Sequence, residues 1–369
     1  MKKKIFIVIA TVLVMALVFG ACNNNNNKAT PSPSPSPSPA PSTGGSAPAP
    51  GSDFAAKPDF TLVLTSHETE GSRPAELMNA WAVMVYEKSK GRLEISVNHG
   101  GALAGPVESL DKVRGGSVDL AWGLQLFYPG QFPLSDALSI PFLPYKSSAH
   151  ASKVMMDLWE NTDFLNKEYE DVKVLLIRAT SESPLSTASK KLGSAADMKG
   201  MTFRSTGTFS NAWLTKLGAN GAGCPIGELA QNLSQGTFDG TTSDWHAINF
   251  FGLYEVVGYV ADEGVMYYSY YFLMNKDSYN RLPADLQAVI DECSGQAALE
   301  HHLDTHDTIK AVAIDKVKSA GGEIYKLPDA ENKKLRDAAK EVVDDWLAAG
   351  GPTEKAFYDA LLASIEKNK

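Results

Sequence analysis

From Phe60 onward the chain switches repeatedly between two hydrophobic periods, one of about two residues and one of about three and a half. Phe60–Ser66 (FTLVLTS) is apolar and β-branched and predicts a strand, and Leu93–Asn98 (LEISVN) alternates as a half-buried strand should. Between them Pro74–Lys90 carries an amphipathic helical pattern, opened by proline and closed by Gly91. Further on, Pro106–Arg114, Ser210–Leu217 and Ile226–Leu233 predict helices, and Val118–Trp122, Val172–Ile177, Met201–Arg204 and Phe238–Thr241 predict strands. Val265–Met274 predicts one long aromatic-rich strand. Pro283–Lys318 predicts one long helix, with two more after Asp329 and Thr353. Strands joined by helical crossovers imply an α/β fold with mostly parallel sheets. About 310 residues from Pro58 to Lys369 exceed a single core, so two lobes are expected. We place residues 58–181 with about 270–309 in the first and 182–269 with about 310–369 in the second, with crossings near Ser181 and Ser269.

The first 57 residues follow neither period. Lys2, Lys3 and Lys4 precede a run without charge, Ile5–Ala21, that ends Gly20-Ala21-Cys22. A basic start, an apolar stretch and small residues before a cut describe a secretory signal over residues 1–21. The cysteine after the small pair resembles a bacterial lipobox, which makes Cys22 the expected lipidation site. A membrane-spanning anchor would need a similar apolar length, but the run stops at this triplet and not at a basic cluster. Residues 22–57, with Asn23–Asn27 and the alternating prolines of Pro31–Pro41, have almost no apolar side chains to bury. Such a segment cannot offset its own ordering entropy, and its proline-rich half favours a stiff, extended conformation. A tether carrying a folded head is the expected architecture, outside the cytoplasm and held to the cell membrane.

Composition is that of an ordinary globule, 44% apolar and 21% charged. Removing residues 1–21 with their three lysines takes the net charge from −9 to −12, which argues against a nucleic-acid partner. Beyond Cys22 only Cys224 and Cys293 remain, and two cysteines do not make a disulfide framework.

Known catalytic signatures are missing: there is no G-x-S-x-G, H-E-x-x-H, phosphate loop, Rossmann glycine fingerprint or C-x-x-C. His302 and His306 are four apart, a metal-ligand spacing, yet no third ligand is placed for them, so no metal is expected. With no nucleophile–base pair to nominate, a tethered hydrolase is the weakest reading.

The segments that stand out are Ser89-Lys90-Gly91-Arg92-Leu93, Gly101–Gly105 (GALAG), Arg114–Leu120 (RGGSVDL), Ile140-Pro141-Phe142-Leu143, Asp197–Arg204 (DMKGMTFR), Lys216–Ala219 (KLGA) and Leu233–Gly240 (LSQGTFDG). In this order they resemble the solute-binding subunit of a tripartite ATP-independent periplasmic (TRAP) transporter, the dicarboxylate-binding DctP type, over the whole head. The resemblance implies a two-lobe periplasmic-binding-protein-like fold with a ligand cleft between the lobes and long C-terminal helices. It implies a receptor that is not an enzyme, needs no cofactor, binds a small carboxylate and delivers it to membrane permease subunits. An ABC-transporter receptor shares the two-lobe logic but rarely pairs such an arginine with Asp239-Gly240.

In that family the arginine of the DxKGxxxR motif forms a two-pronged salt bridge with the substrate carboxylate, and Arg204 takes that position. Guanidinium is planar, always charged and offers parallel N–H groups, as a buried carboxylate requires. Ser243 stands where many relatives carry an asparagine, followed by Trp245. Pro184 falls where some carry a second arginine, with Arg178 on the preceding strand end. These departures argue against a dicarboxylate or sialate ligand. Glu68, just after the first strand, is expected to accept substrate hydroxyls or cap the next helix. Trp122, Phe127, Tyr128, Trp245, Tyr268 and Tyr270 are the candidate aromatic walls, of which two or three should line the pocket, because about half the side chains of a strand face the interior.

Overall fold

The computed structural model describes residues 54–302 and 306–369. Cys22, the signal-like run and most of the tether lie outside the described residues, as do the side chains of His302 and His306. Four strands build the first sheet in chain order: β1 (Phe60–Ser66), β2 (Leu93–Asn98), β3 (Leu120–Leu124) and β4 (Val172–Ala179). The chain then crosses to a second sheet and lays down β5 (Ser183–Thr187), β6 (Thr202–Arg204), β7 (Asn220–Ala222), β8 (Gly240–Thr241) and β9 (Tyr259–Met266). It returns to the first sheet as β10 (Ser269–Asn275), and β11 (Glu323–Tyr325) closes the edge of the second. The strand orders are β2-β1-β3-β10-β4 and β11-β9-β5-β8-β6-β7.

Both sheets are mixed, where the sequence pattern suggested mostly parallel ones. β1 runs parallel to β2 and β3, while β10 is antiparallel to both of its neighbours, β3 and β4. In the second sheet β5 is antiparallel to β8 and β9. The reason is the double crossing: a chain that leaves one sheet and comes back inserts its returning strand in the opposite sense.

That crossing also corrects the expected Val265–Met274 strand. β9 ends at Met266 and β10 begins at Ser269, so Tyr267 and Tyr268 are where the chain changes sheet. The outgoing and returning connections are bonded to each other: Thr180 N–H donates to the Tyr268 carbonyl (2.8 Å), and Tyr268 N–H donates to Thr180 Oγ1 (3.0 Å). Glu182, next to them, pairs with Lys310, which also reaches Asp262 at 2.8 Å. The predicted Pro283–Lys318 helix is likewise divided, into Ala284–Glu292, Gly295–His302 and His306–Ser319. The first break falls just before Gly295, whose left-handed φ of 58°, tolerated by glycine, interrupts the helical run.

Each sheet has its own helices. Arg73–Lys88 buries Leu77, Met78, Trp81 and Val85 beside β2, capped by Ser72, whose hydroxyl accepts from Ala75 N–H at 3.4 Å. Helix Asp329–Ala349 packs on helix Thr208–Lys216 of the second lobe, and Trp213 Nε1 donates to the Leu335 carbonyl (2.9 Å). The last helix, Pro352–Lys367, packs on Ser148–Asn161 next to the first sheet, where His150 Nε2 meets the Ile365 carbonyl at 3.0 Å. The C-terminal segment therefore spans both lobes, although the sequence reading assigned 310–369 to the second. Cys224 and Cys293 are both free thiols.

Candidate functional site

A small cavity of about 60 Å³ lies between the sheets, walled by the ends of β1 and β3, the two crossings, and the segments after β6 and β8. Its residues include His67, Glu68, Phe127, Arg204, Ser243, His246, Tyr268 and Tyr270.

Arg204 is held in place by the motif around it. Asp197 is a local cap: its Oδ2 accepts from the N–H groups of Gly193 (2.9 Å) and Ser194 (2.8 Å). Gly200 turns the chain at φ 77° and bonds the Gly218 carbonyl (2.8 Å), feeding β6. Asp239 then fixes the start of that strand, because its carboxylate accepts from Thr202 N–H (2.7 Å). Gly240 follows where a Cβ would sit 2.4 Å from the Ser186 carbonyl and 2.6 Å from the Phe203 ring, so only glycine lets β8 fit between β5 and β6. Phe203 points into the core and is fully buried, and strand alternation sends Arg204 to the other face, into the cavity wall.

Arg204 is 8% exposed. Its Nε and Nη2 donate to the Cys224 carbonyl at 3.4 and 3.3 Å, and Nη1 donates to Ser243 Oγ at 3.4 Å. Burial lowers its pKa, and among the described residues no carboxylate lies within ion-pair distance of it. Asp244 is near but occupied: its Oδ2 accepts from Ser181 Oγ (2.6 Å) and its Oδ1 from Ala247 N–H (3.0 Å). Ser243 Oγ shares a 2.7 Å hydrogen bond with Thr241 Oγ1.

Glu68 sits on the first-lobe side of the cavity and is buried. The helix that follows it is capped by Ser72, not by this residue. Trp122 Nε1 donates to Glu68 Oε1 (3.3 Å), and His246 Nε2 lies 3.5 Å from Oε2. Burial alone would raise the Glu68 pKa, but His246, His67 and the Tyr270 hydroxyl outweigh it and hold it at about 2. His246 is raised despite its burial, through Glu68 and Asp244, whereas His67 is lowered by burial. Since His246 belongs to the second lobe and Glu68 to the first, this contact crosses the cleft.

The aromatic candidates divide. Phe127, Tyr268 and Tyr270 line the cavity, and the Tyr268 hydroxyl meets Thr242 Oγ1 at 2.9 Å. The other three do not line it. Trp122 is fully buried one layer behind, 4.9 Å from the Tyr270 ring. Tyr128 accepts from Leu110 N–H (2.9 Å) and donates to the Pro106 carbonyl (3.0 Å) inside the first lobe. Trp245 is buried in the second-lobe core with Ile248, Val260 and Val317. The physical reason is size: a flat aromatic ring packs as well against aliphatic neighbours as against a ligand, and nothing in the local pattern separates the two. Arg178 is also behind the wall. It is 2% exposed, its Nε donates to the Ala179 carbonyl (3.1 Å), and burial lowers its pKa to about 10 against the pull of Tyr270 and Glu68. Sequence reasoning missed His67, His246, Thr206 and Phe251 as cavity residues. A histidine in the Ser243–His246 run next to an aspartate was the one available signal.

Residues 65–349 match the DctP family, the bacterial extracellular solute-binding proteins of family 7. Among curated relatives, the 2,3-diketo-L-gulonate-binding periplasmic protein of Escherichia coli K12 is 24% identical over 73% of this chain and 81% of its own length. A TRAP solute-binding protein from an unidentified marine microbe, specific for aromatic acid ligands and solved with metahydroxyphenylacetate, is 26% identical. It superposes with a TM-score of 0.79 over 84% of this chain and 99% of that one. The fold is shared by a TRAP solute-binding protein from Rhodoferax ferrireducens T118 holding benzoate, with a TM-score of 0.77, 24% identity, and coverage of 84% and 98%. A match over most of the head, on a two-lobe frame with a buried arginine in its cleft, settles the family: the chain belongs to the DctP family of TRAP solute-binding proteins.

Proposed function

We propose that this receptor binds a small monocarboxylic acid of apolar, ring-like body, with Arg204 pairing to its carboxylate, and passes it to TRAP-type membrane permease subunits. One observation carries the reading. Arg204 is a buried cation on the cavity wall whose protein partners are a carbonyl and a hydroxyl at 3.3–3.4 Å. A buried charge is costly unless paired, and an incoming carboxylate supplies the two-pronged acceptor that the guanidinium lacks. The rings of Phe127, Tyr268 and Tyr270 favour a flat apolar body. The relative specific for aromatic acids supports the same class. Ser243 orients Arg204, and Trp122 and Arg178 act from behind the wall by holding Glu68 and Tyr270. Tyr128 and Trp245 shape the lobes without touching ligand.

Calorimetry on wild type, Arg204→Lys and Arg204→Ala with aromatic and aliphatic monocarboxylates tests this. Removing one member of such a buried pair costs about 3 to 5 kcal/mol, or roughly two to four decades in affinity. Lysine keeps the charge but loses the fork, so it restores little. Near wild-type affinity in the alanine variant would remove Arg204 from the site.

Cys22 is proposed as the acylated N-terminus that holds the receptor outside the cell membrane, with residues 22–57 as tether. Cys22→Ser should then be released from membranes or left unprocessed. A normally processed, still lipid-labelled variant would defeat that assignment.

A further inference from the structure

The polar groups along the cavity fall into two sets. Arg204 is bonded to the Cys224 carbonyl and Ser243 Oγ, whereas His67 and His246 lie 3.8 and 3.5 Å from the Glu68 carboxylate. The carboxylate assigned to Arg204 does not account for the second set. That set contains buried nitrogens without a hydrogen-bond partner, Nδ1 of His67 and Nδ1 of His246. The two side chains are 9% and 4% exposed, and both line the cavity. Glu68 holds His246 Nε2 from 3.5 Å, which leaves Nδ1 as the ring nitrogen without a partner. Buried polar atoms in native proteins are nearly always paired, so unpaired ones facing a cavity mark where a ligand atom bonds. The remaining wall is apolar, with Leu124, Leu126, Phe127 and Ile226.

Building on the carboxylate reading above, we propose that the acid carries, on its apolar body, a hydroxyl group received by His67 and His246. With Nε2–H of His246 turned to the Glu68 carboxylate, its Nδ1 carries the lone pair in the neutral ring, while His67 can present an N–H at Nδ1. A hydroxyl both donates and accepts, so it can give its proton to one ring and take one from the other. An ammonium group can only donate, and the cationic Arg178 behind Glu68 weakens the anionic field that would hold it. An ether or a halogen leaves the acceptor nitrogen without a donor. Glu68, fixed by Trp122 at 3.3 Å, orients His246 and need not touch the ligand. The substrate class is thus a hydroxylated monocarboxylic acid.

The test is titration calorimetry of the full-length protein with matched acids: phenylacetate, its 3- and 4-hydroxy and methoxy derivatives, and hexanoate against 6-hydroxyhexanoate. In wild type at least one hydroxy acid should bind about ten- to a hundredfold tighter than its unsubstituted parent, the range expected from satisfying buried polar atoms. The methoxy compound should gain nothing. His67→Phe and His246→Phe should each bring that ratio towards one by weakening the hydroxy acid alone. A ratio of one for every wild-type pair, or a ratio untouched in both variants, overturns the proposal. Should a phenylalanine variant fail to fold, ¹⁵N spectra of the wild-type imidazoles decide. The hydroxy acid must shift the Nδ1 signals of His67 and His246 and the parent acid must not, and equal shifts sink the idea. Arg204→Ala keeps the two readings apart, because it should weaken both members of a pair alike. Unchanged binding there removes the carboxylate assignment while the ratio still reports on the histidines. No binding of any acid by the folded protein overturns both.

Discussion

Glu68 stays ionised in a place where burial opposes charge, and the groups around it explain why. His246 approaches from the second lobe, with His67, Tyr270 and Trp122 from the first and Arg178 behind them. The Glu68 carboxyl is lowered from 4.5 to about 2, so its contribution to stability is complete above pH 4.5 and is lost as pH falls towards 2. The His246 imidazole is raised above 6.5, so its contribution is complete below pH 6.5 and is lost as pH rises beyond it. His67 is lowered by burial, which favours its neutral form. The coupling between Glu68 and His246 should therefore be largest between about pH 4.5 and 6.5, on the order of 1 to 2 kcal/mol. A double-mutant cycle of Glu68→Gln and His246→Gln, followed by denaturant unfolding across pH 3 to 9, measures it. A coupling that is flat over that range would mean the two residues are neighbours without being a pair. At this scale the sequence was a partial guide. Arg204, Glu68 and Tyr268 were legible because motif or position singled them out. His67 and His246 were not, because a lone histidine beside a strand or helix end looks the same whether it faces a core, solvent or a cleft.

Elements were read more surely than residues. β1 and β2 follow the predicted bounds, the first as an apolar, β-branched run of seven residues and the second as an alternation over six. Arg73–Lys88 follows its pattern to within a residue or two, with proline near the start and glycine beyond the end. The failures have a common source. Ser183–Thr187 is a fully buried central strand in the second sheet, yet its Ser-Pro-Leu-Ser-Thr sequence carries no hydrophobic run. Its place is set by β8 and β9 on either side, so its polar side chains are buried by neighbours and not by their own preference. Val265–Met274 failed in the opposite way: it is aliphatic and aromatic but for Ser269, and its break at Tyr267–Tyr268 answers to the crossing between sheets. Gly123 shows the same dependence in β3. A Cβ there would come within 2.3 Å of the Tyr271 hydroxyl, a constraint set by a partner 148 positions away.

At the scale of the whole molecule, the cavity is closed by contacts between lobes. Glu68 meets His246, and Thr208 donates to Asp136 Oδ2 at 3.2 Å, the Asp136 carboxyl being raised to about 6 chiefly by its burial. The two crossings are bonded to each other through Thr180 and Tyr268, and we expect the lobes to turn against each other there. A ligand that bridges the cleft adds contacts only in the closed arrangement and so shifts the population towards it. Small-angle scattering should show a smaller radius of gyration with a bound acid than without. An identical profile at saturation would argue for a pocket that is rigid and already formed. The sequence by itself determined that there is a head of two α/β lobes, that its motifs belong to solute receptors, and that one arginine stands on a short strand end. These follow from local periods, from turn-forming glycines and from a motif whose parts lie within eight residues. Only the tertiary structure decided which aromatic rings line the cavity, that both sheets are mixed, and that Glu68 and His246 share that cavity. Those outcomes depend on which distant segments are brought together, 178 residues apart for that pair, and no local pattern encodes a partner so far along the chain.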